Sequence, residues 1–150
     1  MRVRIKCGVS VAAGLVCVLA GAQPAPAAAA DTYILVNEAT GRCLDGRSLT
    51  GTLPCDGGDS QKWAISTRGE PGSVSLLRNA TGCLTVRTGG RVLSTGGCDG
   101  MPHQQWKLSR MGSTSLKNVG SGRCVDDLTD SLRMNVCGAG EAGQRWVLRP

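Results

Sequence analysis

Each of the three tryptophans in this 150-residue chain stands two residues after a glutamine, in Gln61-Lys62-Trp63, Gln104-Gln105-Trp106 and Gln144-Arg145-Trp146. The intervals are 43 residues from Trp63 to Trp106 and 40 from Trp106 to Trp146. A second residue type keeps the same step, with 40 residues from Cys43 to Cys83 and 41 from Cys83 to Cys124. A period near 40 residues marks a supersecondary unit stacked on copies of itself, each copy unable to bury its apolar face alone.

Aligned from Leu35, Leu76 and Leu116, the three copies follow one course. A short apolar run leads to a Gly-rich turn ("NEATG", "NATG", "NVGSG"), then Cys-Leu or Cys-Val, a polar loop, a second short run, a second Cys, another Gly-rich loop, and Gln-x-Trp. Apolar runs this short, bounded by Gly, Asn, Asp and Thr at regular spacing, are the pattern of an all-β barrel or sandwich. No segment of residues 31–150 long enough for a helix keeps an apolar stripe free of Gly and Pro. About four strands per copy give roughly twelve, and three copies about a pseudo-threefold axis close a barrel and hide its edges.

The first 30 residues carry a different signal. "MRVRIK" is a basic start, residues 7–22 are apolar, and "PAPAAAA" offers small residues for cleavage before Asp31. The stretch is shorter than a membrane span, and the pattern is that of a secretory signal peptide over residues 1–30. The expected product is residues 31–150, one secreted domain with no membrane anchor. With Arg2, Arg4 and Lys6 removed, the 17 basic residues fall to 14 against 11 acidic, a net charge of +3. Those charges are scattered, and Tyr33 is the only aromatic residue besides the tryptophans, so a basic, aromatic nucleic-acid surface is not expected.

Six cysteines remain after residue 30: Cys43, Cys55, Cys83, Cys98, Cys124 and Cys137. An even count in an exported chain points to disulfides. Zinc is disfavoured because no pair has Cys-x-x-Cys spacing and His103 is the only histidine, so neither metal nor cofactor is expected. An enzyme is disfavoured too. His103 is the only candidate base for a triad, no Gly-x-Ser-x-Gly elbow is present, and the repeats use up the domain without a catalytic insert.

Three Gln-x-Trp endings, the Cys-Leu-Asp and Cys-Val-Asp starts at Cys43 and Cys124, and a second Cys six or seven residues before each Gln resemble the ricin B-type (R-type) lectin domain, a β-trefoil. The resemblance covers about residues 33–149. It implies a domain over 31–150 with Trp63, Trp106 and Trp146 filling one core layer, and with each Gln turning its amide onto the backbone of its own repeat. Six cysteines allow fifteen pairings. Closing within repeats, Cys43 with Cys55, Cys83 with Cys98 and Cys124 with Cys137, is expected, because each pair joins the ends of one loop at an equivalent place in its copy.

The family's sugar sites combine the Asp of Cys-Leu-Asp, an aromatic platform before the second Cys, and a polar group at the Gln. A carboxylate accepts bonds from vicinal hydroxyls, a ring covers the C–H face of the sugar, and an amide fixes a third hydroxyl. This implies carbohydrate-binding candidates Asp45 and Gln61 in the first repeat and Asp126, Asn135 and Gln144 in the third. The second repeat has Thr85 in place of the Asp, with His103 as a possible polar contact. No repeat has the aromatic platform, so binding at one site is expected to be weak. By elimination the first repeat carries the best site. Asp45 and Asp126 have a plainer alternative as Asx-turn formers. A trefoil that binds another protein is the alternative function, since a fold alone does not choose a ligand.

Overall fold

The computed structural model describes residues 31–67, 73–87, 89, 93–109, 112–129 and 131–150. The expected signal peptide, residues 1–30, lies outside the described residues. The first repeat comprises β1 (Thr32–Asn37), β2 (Cys43–Asp45), β3 (Ser48–Leu53) and β4 (Lys62–Ile65). The second has β5 (Val74–Ser75), β6 (Leu77–Asn79), β7 (Gly82–Val86), β8 (Leu93–Gly96) and β9 (Trp106–Leu108). The third has β10 (Ser113–Thr114), β11 (Leu116–Asn118), β12 (Cys124–Asp127), β13 (Leu132–Asn135) and β14 (Trp146–Arg149). Single 3₁₀ turns, Pro102–Gln104 and Ala142–Gln144, precede β9 and β14.

Among the described residues these are fourteen strands rather than roughly twelve, because the opening strand of the second and third repeats is broken, at Leu76 and Ser115. The pairing explains the break. The start of each opening strand pairs with the Trp strand of its own repeat, Tyr33 with Trp63, Ser75 with Trp106 and Thr114 with Trp146. Its end pairs with the Trp strand of the preceding repeat, Leu77 with Ile65, Leu116 with Leu108 and, around the ring, Leu35 with Leu148. One strand therefore serves two partners and bends between them, and the last of these pairings joins the third repeat to the first and closes the β-trefoil barrel. Closure pairs the barrel strands on both sides and leaves β3, β8 and β13 each paired on one side only.

Alternation sets what faces inward. In β6, β9 and β11 the outer two residues are buried and the middle one, Arg78, Lys107 or Lys117, is exposed. Threefold-related side chains then stack in layers. Trp63, Trp106 and Trp146 are all 0 % exposed, and Leu35, Leu77 and Leu116 and the post-cysteine residues Leu44, Leu84 and Val125 are as deeply buried. Each indole N–H donates to the carbonyl after the first cysteine of its repeat, Trp63 to Leu44 at 3.0 Å, Trp106 to Leu84 at 3.0 Å and Trp146 to Val125 at 3.2 Å. The tryptophans fill the core as expected and also fasten each Trp strand to its hairpin.

The hairpins β2–β3, β7–β8 and β12–β13 cap the barrel, and β3, β8 and β13 contact one another. Each hairpin is closed by one disulfide, Cys43–Cys55, Cys83–Cys98 and Cys124–Cys137, the expected pairing within each repeat.

Two further devices join the repeats. The last residue of each opening strand is a buried asparagine, Asn37, Asn79 or Asn118. Its carbonyl oxygen accepts from the following turn, as Asn118 does from the Ser121 N–H at 2.9 Å. Its amide donates into the Gln-x-Trp loop of the preceding repeat, Asn118 to His103 and Gln105 carbonyls at 3.1 Å, Asn37 to Gly143 O at 2.7 Å and Asn79 to Ser60 O. In the turns after Asn37 and Asn118 the chain reverses through Gly41 and Gly122 at φ of 66° and 67°, a left-handed conformation that glycine adopts without a Cβ penalty. Asp127, buried between repeats, accepts from the Thr40 and Thr52 hydroxyls of the first repeat, both at 2.7 Å.

Candidate functional site

Each repeat presents a surface between the end of its hairpin and its Gln-x-Trp loop, and the glutamine of that loop organises it. The side-chain oxygen of Gln61 accepts the N–H groups of Asp56 and Gly57 at 2.9 and 3.2 Å, while its amide donates to Pro54 O and to Asp45 Oδ2, both at 2.9 Å. Gln104 does the same with Asp99, Gly100 and Gly97, and Gln144 with Gly138 and Val136. The remaining amide hydrogen always reaches the residue two after the first cysteine: Asp45, the Thr85 hydroxyl at 3.0 Å, or Asp126 at 3.0 Å. The Gln of each triplet therefore satisfies buried loop amides and holds the Cys-x-Asp position in place.

In the first repeat this brings Asp45 and Gln61 together and adds Arg47. Asp45 is 0 % exposed. Its carboxylate closes an Asx turn by accepting the Arg47 N–H at 2.8 Å, and receives the guanidinium through Nε at 3.0 and 3.1 Å and through Nη2. The same Nη2 lies 2.7 Å from Asp56 Oδ2. Burial by itself would raise the Asp45 pKa, but the Arg47 side chain and N–H, with Gln61 and Ser60, outweigh it and hold the carboxyl well below the usual carboxylate range. Asp45 in turn, with Asp56, pushes the Arg47 guanidinium up. This carboxylate has an intramolecular donor on every side that the structure describes.

A carboxyl whose folded pKa is depressed contributes stability that is fully present above its unfolded pKa of about 3.9 and is lost as pH falls below it toward the folded value. Asp45→Asn should therefore be less stable than the wild-type chain at about pH 6, with the gap narrowing at about pH 2.5. Urea denaturation at both pH values checks this, and a gap that stays constant would show that Arg47 does not stabilise the ionised form.

The third repeat joins Asp126, Asn135 and Gln144, and no arginine among the described residues forms an ion pair with Asp126. Asp126 Oδ2 accepts from Asn135 Nδ2 and Gln144 Nε2, both at 3.0 Å, and Val136, 75 % exposed, stands beside Asn135. Gly143 allows the approach, since a Cβ there would lie 2.5 Å from Asp126 Oδ1 and 2.7 Å from Asp127 O. In the second repeat Thr85, Arg87, Ser94, Asp99 and His103 line an open groove of about 720 Å³ that reaches Asn118 and Ser121 of the third repeat. His103 Nε2 lies 3.2 Å from Asp99 Oδ2.

Residues 31–148 match the model of the ricin-type beta-trefoil lectin domain. The chain belongs to that family. Among curated proteins, this lectin domain is 35 % identical over 108 residues to a probable alpha-galactosidase A of Aspergillus clavatus, covering 71 % of this chain and 18 % of that protein. The chain thus spans less than a fifth of the length of that relative. Among solved structures it is similar to ThreeFoil, a designed threefold-symmetric protein, at 21 % identity and a TM-score of 0.68 over 80 % of this chain and 99 % of that one. It also matches SeviL bound to asialo-GM1 saccharide, at 17 % identity and a TM-score of 0.61 over 79 % and 94 % of the two chains. An exo-beta-1,3-galactanase from Clostridium thermocellum matches at 21 % identity and 0.64 over 81 % and 30 %. At these identities the structural matches establish the trefoil fold.

Two groups that shape the faces of this lectin domain escaped the sequence reading. Arg47 and Arg87 each stand four residues after the first cysteine of their repeat, in "CLDGR" and "CLTVR", so the aligned repeats already carried the signal. Asn37, Asn79 and Asn118 likewise open the three Gly-rich turns, and only the pairing between repeats reveals what their amides hold.

Proposed function

We propose that this chain is a secreted, non-catalytic carbohydrate-binding module that holds polysaccharide or glycan weakly at single sites and gains strength from repeated contacts. Membership of the lectin family over residues 31–148 is the observation that carries the reading. The likeness to a probable alpha-galactosidase, an exo-galactanase and a saccharide-bound lectin agrees with it. Linked weak sites on one polymer raise the effective concentration for the second contact, so avidity compensates for the missing aromatic platforms.

For neutral sugars we place the primary site in the third repeat. The extra residue between Cys137 and Gln144 alters the loop of the third repeat and ranks the first higher by sequence, but Arg47 and Gln61 saturate Asp45, which would have to exchange an ion pair for sugar hydroxyls. Asp126 has two amide donors and, among the described residues, no ion-pair partner, and the exposed Val136 offers an aliphatic surface for a sugar's C–H face. A glycan array followed by titration of Asp126→Asn and Asp45→Asn tests this. Losing one charged hydroxyl acceptor should cost about 1–3 kcal/mol, so Asp126→Asn should abolish detectable binding while Asp45→Asn retains it. The reverse pattern would return the site to Asp45 and Gln61. A protein-binding trefoil is the second reading, favoured by the sealed Asp45 and the exposed Val136, and a wild-type chain that binds no glycan would select it.

A further inference from the structure

Arg47 and Arg87 occupy equivalent places, and the third repeat has Leu128 there. In the first repeat the arginine is closed by carboxylates of its own chain, with Nε and Nη2 on Asp45 and Nη2 on Asp56 as well. The second repeat keeps the arginine and removes both partners. Thr85 replaces Asp45 and spends its hydroxyl inside the fold, donating to Cys83 O at 2.8 Å and accepting from Gln104 at 3.0 Å. Asp99, which like Asp56 follows the second cysteine, is turned to His103, and its Oδ1 accepts the Met101 N–H at 2.8 Å. Arg87 retains a bond from Nε to Ser94 Oγ at 3.0 Å, and no carboxylate among the described residues pairs with it.

A guanidinium is a fixed planar fork whose edge matches a carboxylate through two parallel bonds. The first repeat shows what that edge takes at this position of the fold when a carboxylate is within reach. Arg87 instead lines the open groove of about 720 Å³, a size suited to one or two sugar rings, with Ser94 and His103 beside it and the Asp99 carboxylate of the same groove turned to His103. A neutral sugar finds no free hydroxyl-accepting carboxylate at Thr85, whereas an acidic sugar brings its own.

We propose that the second-repeat groove binds a uronic acid residue of an acidic polysaccharide, its carboxylate pairing with Arg87 as Asp45 pairs with Arg47. This inference rests on the carbohydrate-binding reading above and adds a ligand class to the repeat that lacks the family's Asp.

Calorimetric titration of the protein with galacturonate and glucuronate tetrasaccharides and with their methyl esters tests it. The free acid of at least one should bind about tenfold or more tighter than its ester at low salt, as expected for a charge-assisted bidentate pair. Arg87→Gln should erase that preference. Thr85→Asp should erase it too while keeping the arginine, because it supplies the internal carboxylate of the first repeat, whereas Arg47→Gln should leave it unchanged. Thermal unfolding verifies that each variant folds, and either second-repeat variant suffices if the other does not. Equal affinity for acid and ester in the wild-type chain, or a preference that survives in a folded second-repeat variant, would overturn the inference. Binding of neutral glycans without acid preference would sink this inference alone, and silence toward every glycan would sink the carbohydrate reading with it.

Discussion

Reduction of all three disulfides should unfold the chain at room temperature. The bridges span 12, 15 and 13 residues, and closing a loop of that size removes about 3 kcal/mol of chain entropy each, or about 9 kcal/mol together. That is comparable with the whole stability of an ordinary domain, about 5–15 kcal/mol. The effect concentrates at the core because Cys43, Cys83 and Cys124 each precede the carbonyl that receives an indole N–H. Freeing a hairpin therefore releases the acceptor of its tryptophan. Tryptophan fluorescence with and without reductant reads this directly, as a red shift of three buried indoles. Replacing the single pair Cys83 and Cys98 by alanine should cost about 3 kcal/mol, and a reduced chain with an unchanged denaturation midpoint would mean that the bridges do not constrain the unfolded state.

Trp106→Ala is the substitution expected to cost most among single side chains. The indole is fully buried with its N–H on Leu84 O, so truncation removes its packing, opens a cavity and leaves a buried carbonyl unpaired. Large-to-small changes of this kind cost about 3–5 kcal/mol. The same range applies to Trp63→Ala and Trp146→Ala, whose surroundings repeat those of Trp106. Trp106→Phe separates the two contributions by keeping most of the packing while deleting the hydrogen bond. Urea denaturation with unchanged slope measures each loss. Tolerance of any of the three within about 0.5 kcal/mol, the scale of a surface change, would remove that indole from the core.

Much of the architecture was legible because it repeats. Two residue types in one period of about 40 residues define the unit, and a unit that cannot bury its own apolar face must close on its copies. The pairing of cysteines within each copy and the burial of the tryptophans agree with that symmetry and with the family resemblance that implied them. The split of the opening strands at Leu76 and Ser115 was not legible, because it arises when one strand must pair with two repeats at once.

The faces of the three repeats show where symmetry stops helping. Residue identities already separated Thr85 from Asp45 and Asp126, so the departure of the second repeat was visible in the chain. Whether a carboxylate stands free or is neutralised depends on which charge folds over it, a short-range matter of a few ångströms that neither periodicity nor composition encodes. Arg47 turns back onto Asp45, Asp99 turns away toward His103, and Arg87 is left facing a groove. The sequence by itself determined the repeat, the closed barrel and the positions from which each face is built. Only the tertiary structure decided which of those faces is sealed by its own ion pair and which is open to a ligand.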